Sequence, residues 1–174
     1  MKRTYVMPLL VLTLICLVVS GALAFMNSLT SPIIAASAEE NAQTAMKEKI
    51  PNATGFELLE LANYEGIPST IRQIYKTTNN VGYIFIAAIN GYSGEITIMC
   101  AVDPEGKIID SGVLSHTETQ GIGTIIEKES FLDPFRGMSD TVDGIDTVAG
   151  ATISTRAYIR AIEDVLAAFE IVRE

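Results

Sequence analysis

Thr152, Ser154 and Thr155 follow Gly150 closely in the segment Asp146–Thr155 (DTVAGATIST), directly before an amphipathic run that continues toward the C-terminus. Ser154 or Thr155 could cap a helix, because a hydroxyl oxygen there accepts hydrogen bonds from first-turn amides. A cap needs only one hydroxyl. Thr152 would place its hydroxyl beside unpaired amides and the positive end of the helix dipole, which favour a phosphate. The segment therefore predicts either a cap alone or a helix start at which Thr152 carries a phosphoester.

A second polar segment, Ser115–Thr124 (SHTETQGIGT), follows a predicted strand and contains the only histidine of the sequence. His116 and Glu118 could act as general acid and base. Gly121 and Gly123 would let the backbone approach a ligand closely and present amide donors. A polar corner between a strand and a loop explains the same residues equally well. With a single histidine and no cysteine nearby in the sequence, a zinc site is not expected.

A third segment, Ser130–Asp140 (SFLDPFRGMSD), combines two phenylalanines with Arg136. The aromatic rings could form a wall over a planar ligand, with Arg136 as the partner of an anion. A loop that its aromatic residues fix to the core is the simpler interpretation, and we favour it.

Short strands separated by glycine and proline turns must position these segments. The predicted strands lie within Thr70–Thr78, Val81–Asn90, Glu95–Asp103 and Lys107–His116. This spacing predicts an antiparallel meander, and the apolar run in the second of these ranges predicts a central strand covered on both faces.

The C-terminal segment changes its period, because apolar residues recur there every three or four positions. This predicts a helix with one buried face; the apolar positions are Tyr158, Ile159, Ile162, Val165, Leu166, Phe169 and Val172. Strands followed by a helix that packs on them predict an α+β fold.

The N-terminal segment Tyr5–Met26 contains no charged residue, and roughly 20 apolar residues suffice for a helix to cross a bilayer core. Lys2 and Arg3 precede it, so the positive-inside rule predicts a cytoplasmic N-terminus and an extracytoplasmic domain. A cleaved signal peptide is the alternative, because Ala22–Ala24 has the small-x-small form of a cleavage site. The apolar run exceeds the usual signal-peptide core of about 7–15 residues, which favours a retained anchor.

These observations predict cytoplasmic residues 1–4, a transmembrane helix at 5–26, a linker at 27–36 and an extracytoplasmic domain at 37–174. A helix is predicted to begin near Ser37 and to end before Pro51, since the residue before a proline disfavours helical backbone. A net charge of −9 argues against binding to nucleic acids or anionic membrane surfaces. Cys16 in the apolar segment and Cys100 in a predicted buried strand cannot form a disulfide scaffold.

Three motifs resemble those of the FMN-binding domains in the Rnf and Nqr electron-transport complexes. Asp146–Thr152 (DTVAGAT) resembles the flavinylation motif of that family, an Asp, two spacers and then Ser/Thr-Gly-Ala-Thr. His116–Gly123 (HTETQGIG) resembles its His-x-Glu-Thr-Pro-Gly-x-Gly, and Gly91–Ile96 (GYSGEI) its Gly-Tyr-x-Gly segment. The resemblance covers essentially the whole chain. Two residues depart from it, because Ala149 replaces Ser or Thr and Gln120 replaces Pro.

The resemblance implies that FMN is joined through its phosphate to Thr152 by a dedicated flavin transferase that reads the motif around Asp146 and Ala149. It further implies a flavin site lined by Glu118, Thr119, Gly121, Gly123, Gly150, Ala151 and Thr155. No metal and no catalytic residue is implied.

The compact length resembles the Rnf G subunits more than the longer Nqr C subunits. This implies a relay subunit, anchored in a bacterial or archaeal cell membrane, within a ferredoxin:NAD oxidoreductase complex that moves Na⁺ or H⁺. Other subunits of that complex would be its partners. The sequence agrees, since it contains neither a Gly-x-Gly-x-x-Gly dinucleotide motif nor a cysteine cluster for iron–sulfur ligation.

Other functions stay open at this point. A non-redox extracytoplasmic binding or scaffold domain of the same fold is one alternative, because Ala149 removes a hydroxyl from the motif. An Nqr-type C subunit is another. A secreted enzyme that uses His116 and Glu118 is the third.

Overall fold

The computed structural model describes the backbone of residues 2–142 and 144–173, and the side chains of residues 7, 10–28, 30, 43–142 and 144–173. The chain forms two compact units, Met1–Thr44 and Ala45–Glu174. Helix α1 (Lys2–Lys49) makes up the described part of the first unit and ends in the second.

The first unit has the composition of a membrane span. Leu10–Ser28 comprises 19 residues with a mean hydropathy of 2.3, and none of this window is buried inside the protein. At about 1.5 Å per residue, 19 residues come close to the thickness of a bilayer core, so by length and composition this segment can cross a membrane. It largely overlaps the predicted span Tyr5–Met26.

The prediction of a linker at 27–36 followed by a helix start at Ser37 was wrong, because α1 continues through both. Two hydroxyls on this stretch bond within the helix: Ser28 Oγ donates to the carbonyl of Phe25 at 2.8 Å, and Thr30 Oγ1 to that of Met26 at 2.6 Å. Because these hydroxyls bond to carbonyls of the same helix, they do not offer the backbone an alternative to helical structure. Alanines after residue 34 also favour helix. The side chain of Ser37 lies outside the described residues, and the predicted end before Pro51 is confirmed.

Five antiparallel strands form one sheet in sequence order, so the predicted meander is confirmed. The strands are β1 (Phe56–Leu59), β2 (Ile71–Thr77), β3 (Tyr83–Asn90), β4 (Glu95–Val102) and β5 (Ile108–His116). The prediction missed β1, a four-residue edge strand that pairs only with β2.

The central strand β3 is covered on both faces, as its apolar run predicted. Phe85 and Ala87 are fully buried in the core beneath helix α3 (Thr152–Val172). Ile84 and Ile86 point to the opposite face and are also buried. Helix α3 presents its predicted apolar stripe to the sheet, except that Ile159 is only partly buried. The α+β fold is therefore confirmed.

Short helical turns connect β5 to α3. They are a 3₁₀ turn at Gly123–Glu127, helix α2 (Glu129–Leu132) and a second 3₁₀ turn at Asp133–Phe135. A further 3₁₀ turn, Leu61–Asn63, follows β1.

The aromatic residues of this connection fix it to the core, as the simpler interpretation predicted. Phe131 and Phe135 are buried, and each ring centroid lies 5.4 Å from that of Tyr158 on α3. Arg136 binds carboxylates of the protein itself, those of Asp110, Glu129 and Asp133. The alternative, an aromatic wall with Arg136 bound to a ligand anion, is therefore wrong.

Candidate functional site

Helix α3 begins without a side-chain cap. Its N-cap residue is Ala151, which has no side chain able to accept a hydrogen bond from the first-turn amides. The prediction that Ser154 or Thr155 caps the helix was wrong, because both lie inside its first turn. Within the described part of the chain, no acceptor contacts the amides of Thr152, Ile153 and Ser154. Three N–H donors at the positive end of a 21-residue helix are therefore available to a ligand.

A tight turn brings the chain into this helix. Gly150 has φ +86°, a backbone conformation that residues with a Cβ adopt only at a cost. Thr155 secures the turn from within the core: its Oγ1 donates to the carbonyl of Ala151 at 2.9 Å and accepts from the amide of Val148 at 3.2 Å. Thr155 is completely buried. Its role is to hold the turn, and it does not reach the site that it was predicted to line.

Thr152 is the first residue of α3 and is half-buried. Among the described residues, its hydroxyl has one hydrogen-bond partner, the carbonyl of Val148 at 3.5 Å, a distance at which a hydrogen bond contributes little. The hydroxyl is therefore not committed to the fold. It lies beside the uncapped amides of its own helix turn.

Thr152 lines a cavity of about 370 Å³ between the first turn of α3 and the loop after β5. The helix side is lined by Gly150, Ala151, Thr152, Ile153 and Ser154, and the loop side by Tyr92, Glu118, Thr119, Ile122 and Gly123. Segments that are distant in the sequence thus meet around one cavity, and six of the predicted site residues line it.

Three large apolar side chains surround the cavity while remaining exposed. Tyr92 is 69% exposed, and Ile122 and Ile153 are each 54% exposed. Exposed apolar side chains beside a concave site are typical of places where a ligand or partner covers them.

Glu118 connects the two sides of the cavity. Its carboxylate is buried, accepts a hydrogen bond from the hydroxyl of Ser154 through Oε2, and accepts one from the amide of Ser93 at 2.9 Å through Oε1. Burial by itself would raise the pKa of Glu118, but the hydrogen bonds from Ser154 and from the backbone of Ser93 and Tyr92 outweigh it, so the pKa is lowered. Glu118 is therefore ionised at neutral pH.

Gly123 permits the close approach of these groups. A Cβ at this position would lie 2.7 Å from both Cβ and Oε2 of Glu118 and 3.2 Å from Oγ of Ser154. Only glycine fits between the loop and the helix without a displacement.

His116 does not form an acid–base pair with Glu118. Its Nδ1 accepts a hydrogen bond from the backbone amide of Glu118 at 3.0 Å, and its Nε2 lies 3.0 Å from Oε1 of Glu127. His116 does not line the cavity. These contacts give the imidazole a structural role in orienting the loop and do not support the secreted-enzyme alternative.

Two residues that were predicted for the flavin site, Gly121 and Thr155, do not line the cavity, and neither do Ala149 and Asp146 of the predicted transferase motif. Gly121 occupies a turn with φ +80°, Thr155 is in the core, and Ala149 is exposed beside the turn. Asp146 lines a separate groove of about 290 Å³ that also includes Phe131 and Pro134.

The residue-based prediction also missed cavity residues. Ser154 was expected only as a cap, and the apolar residues Tyr92, Ile122 and Ile153 were not expected at the site. Their positions in the sequence could have indicated them, because each lies within a motif or next to one of the predicted residues.

Residues 91–167 match the family described as FMN-binding domain. This stretch contains every residue that lines the cavity. This part of the chain is therefore similar to FMN-binding domains. The predicted resemblance is thereby confirmed.

Relatives of known type extend the similarity to most of the chain. The G subunit of the proton-translocating ferredoxin:NAD(+) oxidoreductase complex of Clostridium ljungdahlii is 26% identical over 163 residues, which cover 88% of this chain and 85% of that protein. The G subunit of the ion-translocating oxidoreductase complex of Shewanella piezotolerans is 28% identical over 187 residues, covering 94% and 88%. The crystal structure of Shewanella oneidensis NqrC aligns with 56% of this chain and 57% of its own length, at 22% identity and a TM-score of 0.49.

Proposed function

We propose that this chain is a membrane-anchored electron-carrier subunit of an Rnf-type ferredoxin:NAD oxidoreductase complex, with FMN attached covalently to Thr152. The complex would couple electron transfer to the movement of Na⁺ or H⁺. The similarity to the G subunits of ion-translocating complexes over most of the chain supports the general function. The placement of Thr152 supports the attachment.

The observation that carries the attachment is the uncommitted hydroxyl of Thr152 at the start of α3. It combines a half-buried hydroxyl, three amides without acceptors among the described residues, and a cavity of about 370 Å³. A phosphoester at Oγ1 would keep its remaining negative charge beside these amides. The favourable contribution from the helix dipole is about 0.3–1 kcal/mol, and up to about 2 kcal/mol in partly buried sites.

The remainder of the cavity fits a flavin. Its volume lies in the range of about 300–1,000 Å³ that is usual for small-molecule sites. Tyr92, Ile122 and Ile153 supply apolar surface for a planar ring, and a ring that covered them would remove exposed apolar area from water. The amides at the start of α3 supply donors for the phosphate.

FMN, when bound, supplies the redox chemistry, and the protein supplies position and electrostatics. Glu118 contributes to position, because its hydrogen bonds to Ser154 and to the amide of Ser93 fix α3 relative to the two loops that line the cavity. No general acid, general base or nucleophile is required of the protein for electron transfer. This agrees with the contacts of His116, because both of its ring nitrogens are bonded within the protein.

Covalent attachment suits a domain outside the cytoplasm, where a flavin that dissociated would be lost. We propose that residues 1–4 are cytoplasmic, that the apolar part of α1 spans the cell membrane and that the domain is extracytoplasmic, where a flavin transferase modifies it. A membrane-impermeant maleimide should then label an exposed Glu57→Cys variant in intact cells. A Lys2→Cys variant should be labelled only after permeabilisation, and the reverse pattern would contradict the orientation.

Intact-mass measurement of the membrane-extracted chain, produced together with a flavin transferase, tests the attachment. Formation of the ester joins Oγ1 of Thr152 to the phosphorus of the flavin phosphate, and the P–O bond to the leaving group of the transferase's flavin substrate breaks. The leaving group takes up the hydroxyl proton, so the mass of the chain should rise by one FMN minus one water. Thr152→Val should lack this increase, and the matched Thr152→Ser variant should retain it. A colourless wild-type protein in the presence of an active transferase would favour the non-redox alternative.

A further inference from the structure

A second groove lies directly beside the cavity. It has a volume of about 540 Å³, and Ile153 lines both spaces. The starts and ends of neighbouring strands form one side, with Arg72 at the beginning of β2 and Asn90 at the end of β3. Residues from the first three turns of α3 form the other.

The groove concentrates positive charge on an acidic chain. Three of the 12 Lys and Arg residues line it, namely Arg72, Arg156 and Arg160, whereas the whole chain has a net charge of −9. None of its lining residues is acidic. A positive groove on a negative protein is a local feature that selects for an anionic partner.

Two of the three arginines have no ion-pair partner among the described residues. Arg156 and Arg160 are exposed, one helical turn apart on α3, and their guanidinium groups lie within 4.0 Å of no described carboxylate. Arg72 lies 3.4 Å from Glu95 in a pair that is more than half exposed on both sides. Such exposed pairs contribute little and exchange partners easily.

Two acidic side chains contact residues that line the groove, and neither lies within 4.0 Å of Arg156 or Arg160. Glu95 forms the exposed pair with Arg72, and Asp164 accepts a hydrogen bond from the hydroxyl of Thr70 at 2.7 Å. Arg156 and Arg160 are therefore not neutralised by these groups.

The base of the groove is apolar. Ala88 and Ala157 are buried there, Ile89 is partly buried, and Ile153 is exposed at the end next to the cavity. An apolar centre with arginines at the rim is the usual composition of a protein–protein interface. A small anion would not need the apolar base, and the flat surface of a membrane would not enter a concave groove.

We infer that this arginine groove docks an acidic segment of another protein, which places a redox partner at the exposed side of the FMN cavity. The inference rests on the proposed electron-carrier function, because it identifies the chemistry of the partner that exchanges electrons at this site. The segment would present Asp or Glu side chains to Arg156 and Arg160 and at least one apolar side chain to the base of the groove.

Photo-crosslinking in the assembled complex tests the inference. Ser69 is exposed, lines the groove and does not line the FMN cavity, so Ser69→benzoylphenylalanine can be introduced without altering the flavin site. The full chain is irradiated in membranes of a strain that makes the whole complex, and adducts are mapped by mass spectrometry. We expect an adduct to another subunit within a segment that contains at least two acidic side chains.

Charge-removing variants make the test specific. Combining Arg156→Gln with Arg160→Gln should reduce the adduct about tenfold, because two charge-assisted contacts are lost. Arg173→Gln is the matched control, because Arg173 is an exposed arginine at the opposite end of α3, paired with Glu170 at 2.7 Å. It should leave the adduct unchanged, and all variants should carry the same amount of flavin.

The inference is overturned by an adduct to lipid alone, by an adduct in a segment without acidic side chains, by an adduct that does not depend on the arginines, or by no adduct in a complex that contains the chain. Flavin content is measured on the same samples. A chain that forms the adduct but carries no flavin would contradict the proposed function but not the docking. A chain that carries flavin but forms no adduct would contradict the docking alone.

Discussion

Ser154 on α3 and Glu118 in the loop after β5 are 36 residues apart in the sequence, and the Ser154 hydroxyl donates a hydrogen bond to Oε2 of the Glu118 carboxylate. Both side chains are buried. This contact joins the two segments that form the cavity. The position of Thr152, two residues before Ser154, therefore depends on a carboxylate in a distant loop.

Ser154→Ala should destabilise the domain without removing the attachment hydroxyl. The free energy of unfolding should fall by about 1–3 kcal/mol, because Oε2 of a buried carboxylate loses its donor. Denaturant titration measures this change. Ser93→Ala is the control, since Ser93 holds Glu118 through its backbone amide, and it should change stability by no more than about 0.5 kcal/mol. Equal effects of the two substitutions would contradict the proposed role of Ser154.

Acid should weaken the domain partly through Glu118. Its pKa in the folded protein is below the ordinary value of 4.5, so its ionisation stabilises the fold above pH 4.5, and this contribution is lost as the pH falls through the lower, folded-state pKa. Unfolding measured from pH 7 downward should show a shallower loss for Glu118→Gln than for the wild type. Part of the loss should persist in the variant, because Asp110 also has a lowered pKa. Identical slopes would contradict the prediction.

Gly123→Ala should disturb the cavity. A Cβ at 2.7 Å from two atoms of Glu118 must displace either the loop or the carboxylate, and such overpacking costs about 1–3 kcal/mol. Gly137→Ala provides a comparison, because its Cβ would meet no atom within 4 Å and only its φ of +79° opposes the change. Thermal unfolding and flavin content should both fall for Gly123→Ala, whereas Gly137→Ala should affect stability alone. Normal flavin loading of Gly123→Ala would count against this account of the site.

Asp110 should be a stabilising charge. It lies between Lys49, at 2.6 Å, and Arg136, at 2.9 Å, and its side chain is only 19% exposed. Burial opposes its ionisation, but the bonds to Lys49 and Arg136 lower its pKa overall. Asp110→Asn should reduce the free energy of unfolding by about 1.5–3 kcal/mol, as expected for hydrogen bonds between charged groups. Glu95→Gln removes an exposed pair and should cost less than about 1 kcal/mol. The reverse order would be inconsistent with this network.

The sequence predicted those elements whose residues repeat with a clear period. Strands β2–β5 and helix α3 are long enough for alternation or a three-to-four spacing to appear. Strand β1 has four residues, and the 3₁₀ turns after β5 have three to five, which is too short for a period to be recognised. The continuity of α1 through residue 36 was not predicted, because a proline and several hydroxyl residues are typical of a break as well as of an apolar helix.

The site was predictable only as far as motifs extend. Thr152, Gly150 and Glu118 lie in the motifs that the sequence analysis identified, and all of them line the cavity. The bond between Ser154 and Glu118 has no local sequence pattern, because it joins separate elements. Thr155 has the same kind of side chain as Thr152, but the helix turns it into the core, where it secures the turn. The two threonines differ in burial, and their burial is determined by the packing of α3 on the sheet.

Peptide mapping of the yellow, membrane-extracted protein tests the central claim most directly. Trypsin cleavage after Arg136 and Arg156 releases residues 137–156, which contain Thr152 together with several other hydroxyl residues. Fragmentation of this peptide should assign the FMN phosphate to Thr152 in fully loaded material. An unmodified Thr152 in protein that retains its flavin, or an adduct on another residue, would contradict the account.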